Sequence, residues 1–388
     1  MNSIRTDHHL VETAIALAAQ FAPRGAEIEA ARRLPADIAA RMGEAGFYRM
    51  FVGEPVGGLE VAPGVAARVY EALAQGDAAC GWVAFIGATT GLAFGRLTDE
   101  AAREILARPD SLITGVFAPS GVATRVDGGF RVTGQWQWGS GSPNADWIGG
   151  GCTVVDGGRT VTNSAGFPRN HMLFFPAASV TSLDTWRVSG LCGTGSTAFE
   201  VKDLFVPERH ASGYLVQTPP DRPLFRFPGF SPLAQGVGAV GLGIARASIS
   251  ELVRVANEKR RGGASALLAE RPHVQMEVAR AEARLRSARA FFYEAIDAAW
   301  SAAQTGGPVA PDHSRDMRLA TAHAMQEAAA VVGAMYGLAG GSSVYQSSPL
   351  QRQFRDVHVT TQHVMVSPAI LETAGRLFLG LPTNLAGF

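Results

Sequence analysis

The hydrophobic pattern of this chain changes character twice, and that three-part order limits the folds open to it. Residues from about 11 to 108 have helical spacing, with Pro35 and Pro63 at suitable helix starts. Residues from about 112 to 210 form short β-branched and aromatic runs separated by Gly, Asp, Asn and Pro, which is typical of strands and turns. After a proline-rich linker the chain becomes helical again. This order, without β–α–β alternation, predicts an α+β protein.

We therefore predict three domains: a helical domain at 1–111, a small β-barrel or sandwich at 112–215, and a helical domain at 216–388. One motif in the third domain could suggest a different fold. Gly236, Gly238 and Gly241 fit the spacing of a dinucleotide-binding fingerprint. Because no strand–helix–strand context surrounds them, we interpret these glycines as positions of close helix packing.

Composition excludes several function classes. Lys plus Arg and Asp plus Glu both number 34, so the chain has no net charge and no basic surface is expected for nucleic acid. No apolar run of the roughly 18 residues needed to span a membrane is expected, and the first residues lack the apolar core of a signal peptide. The three cysteines are far apart and show no metal-binding spacing. We expect a cytoplasmic protein with reduced thiols and no metal.

Residues 134–147 (GQWQWGSGSPNADW) form the most informative stretch. If the strand continues through it, Trp136 and Trp138 lie on the same face. Ser140 and Gly141 follow, where a hydroxyl and an open backbone can approach a flat ligand. Two interpretations remain open on these residues alone: a ligand site, or a hairpin whose tryptophans only fill a core.

Three ordered motifs resemble the acyl-CoA dehydrogenase family nearly end to end. Residues 54–58 (EPVGG) are similar to a turn that follows the first helices of that family. Residues 189–196 (SGLCGTGS) with 203–208 (DLFVPE) are similar to the signature of its β-domain, and residues 340–356 to its C-terminal element. The resemblance implies an N-terminal helical domain, a central β-barrel or sandwich, and a C-terminal four-helix bundle.

The region after Arg355 and Asp356 decides between branches of that family. Many dehydrogenases carry there a glutamate that removes the α-proton of a thioester. Residues 357–365 contain no carboxylate here; they contain His358 and His363 instead. An acyl-CoA dehydrogenase or oxidase with a base on another helix therefore stays as the alternative, and a scaffold that has lost its flavin as a third possibility.

The tryptophan–serine stretch and the two histidines together resemble the flavin-dependent monooxygenase branch, the oxygenase components of two-component aromatic hydroxylases. That resemblance implies reduced flavin (FADH2 or FMNH2) and O2 as cosubstrates, with oxygen transferred from a C4a-hydroperoxyflavin to a small aromatic or heteroaromatic compound. It also implies a separate NAD(P)H-dependent flavin reductase and a homotetramer.

The same resemblance assigns the cofactor contacts. Ser140 falls at the position that faces flavin N5, with Gly141 beside it, and Trp138 would form a wall along the ring. The remaining cofactor positions are predicted in the β-domain motif and in the C-terminal helices: Thr194, Ser196, Arg260 or Arg261, Gln275, Gly340 and Gly341.

His363 is the predicted acid–base residue, because an imidazole with a pKa of about 6.5 exchanges protons near neutral pH. His358 is the second candidate. On one continuous helix the two side chains point about 140° apart, so only one of them is expected to face the pocket.

Substrate contacts are predicted from the helix that begins near Cys80 and from the loop after Ser140. They comprise Trp82, Thr89, Thr90 and Asn144. Two histidines that are common in hydroxylases of this branch are replaced, one by the threonine pair and one by Asn144. The sequence therefore favours a heteroaromatic, an amine or an unusual ring acid over a simple phenol.

Overall fold

A computed structural model of the chain describes residues 2–163, 166–213, 216–260 and 266–384. Helices occupy its two ends and strands its middle. The helices are α1 (Asn2–Phe21), α2 (Gly25–Ala31), α3 (Ala36–Glu44), α4 (Pro63–Gly76), α5 (Ala78–Thr90), α6 (Asp99–Ile105), α7 (Pro223–Arg226), α8 (Ser231–Glu258), α9 (Pro272–Gln304), α10 (Pro311–Ala339), α11 (Pro349–Thr360) and α12 (Ala369–Phe378). The helix–strand–helix order predicted from the sequence is confirmed.

The strands form one mixed sheet. They are β1 (Ile113–Val126), β2 (Gly129–Trp136), β3 (Trp147–Asp156), β4 (Arg159–Thr160), β5 (Asn170–Pro176), β6 (Thr181–Leu183), β7 (Ala198–Pro207) and β8 (Ala211–Ser212). They lie in the order β6-β7-β2-β1-β3-β5-β8, with β4 paired to β3. Only the β1–β3 pair is parallel among the described strands. The domain boundaries at 111 and 215 stay predictions.

Helix α8 connects the two helical regions. It packs against α4 and α5 from the first region and against α10 and α11 from the second, so one hydrophobic core runs through both. Gly236 lies in α8, where a β-carbon would come within 2.4 Å of the Phe85 ring on α5. The predicted role of this glycine in close helix packing is therefore confirmed.

Contrary to the expectation from the sequence, two segments are long and apolar enough to cross a membrane by length and composition: Ala78–Arg96 and Ser231–Glu258. The most apolar window of each is mostly buried, 83% in the first and 78% in the second. Buried helices in the core of a protein satisfy the same criterion, so their hydrophobicity is accounted for by packing.

Two local expectations are wrong. Strand β2 ends at Trp136, which is fully buried and donates its indole N–H to the Gly151 carbonyl at 2.8 Å. Trp138 has a positive φ of 59°, which turns its side chain away from that core and leaves it 71% exposed. His358 and His363 also do not share one continuous helix, because α11 ends at Thr360, before His363.

Candidate functional site

A cavity of about 350 Å³, which we call the main cavity, lies where α5, the loop after β2, the turn before β7 and the end of α11 meet. Its volume falls within the range of about 300–1,000 Å³ that is typical of small-molecule sites. The lining is largely aromatic and aliphatic, with a few hydroxyl, amide and imidazole groups. The lining residues are Trp82, Ile86, Trp138, Ser140, Trp186, Leu191, Thr194, Ser196, Val359, Gln362, His363 and Val364.

The loop after β2 holds its cavity residues in an uncommon backbone conformation. Trp138 has φ +59°, a region that bulky residues rarely adopt, and Gly141 has φ +77°. The Gly141 N–H donates to the Thr194 carbonyl at 2.8 Å, which ties this loop to the turn before β7. A large exposed indole held at a strained backbone position indicates a functional contact rather than core packing.

Three hydroxyl groups line one wall of the cavity in hydrogen-bond contact; we call Ser140, Ser196 and Thr194 the hydroxyl chain. Ser140 Oγ lies 2.6 Å from Ser196 Oγ, which lies 2.6 Å from Thr194 Oγ1. Trp82 Nε1 donates to Ser140 Oγ at 3.0 Å, and Thr194 Oγ1 donates to the Leu191 carbonyl at 2.8 Å. All three hydroxyl residues are buried, so the chain holds a fixed arrangement at the cavity surface.

The turn that carries the end of the hydroxyl chain is fixed from the C-terminal region. Leu191 has φ +52°, and its N–H donates to Asp356 Oδ1 at 2.6 Å. Its carbonyl also accepts the indole N–H of Trp186 at 3.2 Å. Burial, and then the charge of Asp77, raise the pKa of Asp356 to about 7. The Arg-Asp motif recognised in the sequence thus positions the cavity wall.

His363 lines the cavity from the turn after α11. Its Nδ1 accepts the Met365 N–H at 3.2 Å, so the neutral ring carries its proton on Nε2. The ring packs edge-to-face on Trp82, with centroids 5.7 Å apart. Burial, and then the Arg318 charge, lower the pKa of His363 to about 4. A neutral imidazole of this tautomer donates a hydrogen bond through Nε2 and is a poor proton acceptor.

The structure thus brings together six of the residues singled out in the sequence: Trp82, Trp138, Ser140, Thr194, Ser196 and His363. Their individual roles stay predictions. The other six lining residues were not predicted from the sequence, and two of them, Trp186 and Gln362, carry polar groups. Trp186 lies three residues before the glycine-rich β-domain motif and Gln362 directly precedes His363, so proximity to those motifs was the available signal.

The other predicted catalytic and substrate residues lie outside the cavity lining. His358 is exposed, and its Nδ1 contacts the Phe354 carbonyl at 2.7 Å. Thr89 and Thr90 donate to backbone carbonyls of their own helix, and Asn144 donates to the Leu34 carbonyl. Short polar side chains in or near helices commonly bond to the backbone, which accounts for this placement. A substrate role for them has no support from the geometry.

The C-terminal cofactor positions also lie apart from the main cavity. Gly340 and Gly341, with Lys259 and Arg260, line a second cavity of about 220 Å³. Gln275 is exposed and donates to the Ala269 carbonyl at 3.0 Å. Arg261 falls outside the described residues. The contact of these positions with a cofactor stays a prediction.

No Asp or Glu lies among the described residues that line the main cavity. A dehydrogenase needs a carboxylate there to remove the α-proton of a thioester. The lining therefore gives no support to the alternative of an acyl-CoA dehydrogenase with a relocated base.

Comparison with known proteins agrees with this geometry. The family model "Acyl-CoA dehydrogenase, N-terminal domain" matches residues 6–107, and "Acyl-CoA dehydrogenase, C-terminal domain" matches residues 235–368. An indole-3-acetate monooxygenase of Pseudomonas putida is 36% identical over 355 residues, which is 91% of this chain and 89% of that protein. The oxygenase component of an FADH(2)-dependent resorcinol hydroxylase of Rhizobium sp. is 27% identical over 96% of this chain and 94% of that protein.

Solved structures show the same fold. XiaF from Streptomyces sp., in complex with FADH2 and glycerol, superimposes with a TM-score of 0.88 at 25% identity over 99% of this chain and 98% of XiaF. The HsaA monooxygenase of M. tuberculosis superimposes with a TM-score of 0.87 at 22% identity, over 97% and 98% of the two chains. The chain belongs to the acyl-CoA dehydrogenase family, in its branch of reduced-flavin-dependent monooxygenases.

Proposed function

We propose that this monooxygenase oxygenates a small planar aromatic acid of the indole-3-acetate type inside the main cavity. The observation that carries the proposal is the cavity lining, which combines the hydroxyl chain, His363 and three tryptophans; one of these, Trp82, contacts both Ser140 and His363. Such walls enclose flat rings and leave few polar groups to orient them. The similarity to the indole-3-acetate monooxygenase of Pseudomonas putida supports this substrate class.

The described residues fit a flavin ring. Trp138 projects from a strained backbone position as an exposed apolar plate against which a flat ring can pack. Ser140 offers its oxygen at the same wall, and Gly141 lets the backbone approach closely. In this proposal Trp138 packs on the ring and Ser140 hydrogen-bonds its N5 edge. When bound, reduced flavin would supply the two electrons that activate O2, so that one oxygen atom of O2 is transferred to the substrate and the other leaves as water.

His363 orients the substrate in this proposal. Since its Nδ1 accepts the Met365 N–H, its Nε2–H is the group that can donate to a polar atom of the ring compound. The low pKa keeps the imidazole neutral at physiological pH. The apolar surroundings exclude water, which protects the reacting groups from side reactions.

A buried cation favours a substrate that carries a carboxylate. Arg318 is only 2% exposed, and burial lowers its pKa to about 10, so it stays charged near neutral pH. Its guanidinium donates to the Met365 sulfur at 2.8 Å, and its charge lowers the pKa of His363. In this proposal the substrate carboxylate binds near His363, where the Arg318 charge also acts.

The reduced flavin comes in this proposal from a separate NAD(P)H-dependent reductase, since the resorcinol hydroxylase relative is named as an oxygenase component. We also propose a homotetramer in the cytoplasm. Exposed apolar side chains near the C-terminal region support self-association, since soluble proteins generally cover such patches. They are Val344, Tyr345, Phe378 and Leu379.

The test is turnover with a reductase, NADH and either FMN or FAD. Indole-3-acetate, indole and resorcinol are supplied in parallel, and products are identified by mass spectrometry. We expect an oxygenated product from indole-3-acetate and a lower specificity constant for indole, which lacks the carboxylate. Equal turnover of indole and indole-3-acetate would show that the site does not recognise the carboxylate. Turnover of resorcinol alone would show that the substrates are phenols and not indoles.

A further inference from the structure

The hydroxyl chain has a defined direction of hydrogen-bond donation. An indole N–H can only donate and a carbonyl can only accept, so the bonds from Trp82 to Ser140 and from Thr194 to Leu191 have fixed polarity. Each hydroxyl carries one hydrogen. Because Thr194 donates its hydrogen to the Leu191 carbonyl, its oxygen accepts the hydrogen bond from Ser196. By the same rule Ser196 accepts from Ser140.

These bond directions determine which hydrogen-bonding group of Ser140 is left for a ligand. Its only hydrogen lies inside the wall, between its oxygen and that of Ser196 at 2.6 Å. One of its lone pairs accepts the Trp82 N–H, and the other remains for a ligand. Towards the cavity Ser140 is therefore an acceptor and not a donor.

We propose that the hydroxyl chain makes this site select reduced over oxidised flavin, an inference that rests on the proposed function and its contact between Ser140 and N5. In reduced flavin N5 carries a hydrogen, which Ser140 Oγ can accept. In oxidised flavin N5 carries a lone pair, which faces the lone pair of Ser140 without a hydrogen between them. The residues that set this polarity, Ser196 and Thr194, are positioning residues for the cofactor.

Turning the Ser140 hydroxyl hydrogen towards the cavity costs a hydrogen bond within the hydroxyl chain. If Ser140 turned its hydrogen towards the cavity, Ser196 would have to donate to Ser140 and Thr194 to Ser196. The buried hydrogen bond from Thr194 to the Leu191 carbonyl would then be lost. A lost buried hydrogen bond corresponds to about a tenfold change in an equilibrium constant.

The experiment measures the dissociation constants of reduced and oxidised FMN and FAD, by anaerobic and aerobic titration calorimetry. It compares the wild type with Ser196→Ala and Thr194→Val, which remove acceptors further along the chain. The matched control is Thr197→Val, since Thr197 is a buried neighbour whose hydroxyl donates to the Leu183 carbonyl instead. Circular dichroism at each titration temperature verifies that the variants are folded.

We expect the wild type and Thr197→Val to prefer reduced flavin. In Ser196→Ala the Ser140 hydrogen becomes available to the oxidised ring, so the preference should fall by about tenfold. For a two-electron couple that equals a shift of about 30 mV in the potential of the bound flavin. Thr194→Val should lower the preference in the same direction.

The experiment distinguishes an error in the proposed function from an error in the role of the hydroxyl chain. If the wild type binds neither form of FMN or FAD, the proposed function is wrong and the inference falls with it. If the wild type binds reduced flavin but folded Ser196→Ala and Thr194→Val keep the same preference, only the role of the hydroxyl chain is overturned.

Discussion

The buried carboxylate of Asp356 accepts a hydrogen bond from the backbone N–H of Leu191 at 2.6 Å, although the two residues lie 165 positions apart. Leu191 adopts φ +52°, a conformation that leucine rarely takes without support. Its carbonyl anchors the Thr194 end of the hydroxyl chain. Helix α11 therefore supports the cavity wall through the Asp356 side chain.

Asp356→Ala should destabilise the protein. The substitution leaves the Leu191 N–H without its acceptor, and we expect the free energy of unfolding to fall by about 1–3 kcal/mol in urea denaturation. Asp356→Asn keeps an amide oxygen at the same place and serves as the matched control. Equal stability of the alanine and asparagine variants would show that this hydrogen bond does not support the turn.

The stability of the wild type should depend on pH through the same carboxyl. The pKa of Asp356 is raised from 3.8 to about 7, by burial first and by the Asp77 charge second. Between those values the folded state holds a proton that the unfolded chain releases. Protonation of Asp356 therefore contributes to the free energy of unfolding fully below about pH 4, and this contribution is lost as the pH rises through about 7.

Asp356→Asn removes this titration, so its unfolding free energy should change less than that of the wild type between about pH 4 and 7. Some dependence remains, since burial also raises the pKa of Asp77 to about 6. Denaturation series at several pH values test the expectation. Parallel curves for the two proteins would contradict it.

Trp138→Gly should separate stability from cofactor binding. Glycine adopts φ +59° without strain, and the lost indole is 71% exposed, so the variant should be as stable as the wild type or more stable. Reduced flavin should bind about tenfold more weakly, because the aromatic plate is gone. Thermal unfolding and anaerobic titration measure the two effects. A variant with unchanged flavin affinity would remove Trp138 from the cofactor site.

His363→Phe should lower product formation by about tenfold or more and increase the release of hydrogen peroxide, because the substrate loses the Nε2–H donor. His363→Gln retains an N–H donor and should recover part of the coupling between O2 consumption and product. His358→Gln should behave as the wild type, since His358 is exposed and contacts the Phe354 carbonyl. If the His358 variant alone loses activity, the assignment of the two histidines is reversed.

Arg318 should influence the titration of His363. Burial is the main reason that the pKa of His363 lies at about 4, and the Arg318 charge is the second. Arg318→Met removes the charge, so NMR titration of the imidazole should show a pKa that moves part of the way towards 6.5. An unchanged pKa would mean that the field of Arg318 does not reach the ring.

The fold could be predicted because its signals are local and repeated. Helical spacing, strand punctuation and three ordered motifs all agreed on the order of elements. The error at Trp138 has a physical cause: strand alternation assumes a continuous extended backbone, and a single positive φ after Trp136 reverses the direction of the side chain. The residue type at position 138 gives no signal of this turn, because tryptophan seldom adopts a positive φ.

The cavity could be predicted only where residues stand inside a motif. Ser140, Thr194 and Ser196 occupy such positions, and the structure places them in hydrogen-bond contact. Trp186 and Gln362 reach the cavity from turns whose paths depend on tertiary contacts such as Asp356 with Leu191. The direction of the hydroxyl chain depends on distances between separate segments, which no sequence pattern contains.

The most direct test of the account is a single turnover with labelled oxygen. Protein loaded anaerobically with reduced flavin and indole-3-acetate is mixed with ¹⁸O₂, and the products are analysed by mass spectrometry. We predict one ¹⁸O atom in the organic product, with more peroxide and less labelled product in His363→Phe. Full release of the label as hydrogen peroxide, together with reduction of bound FAD by an acyl-CoA, would contradict the account and identify a dehydrogenase or oxidase instead.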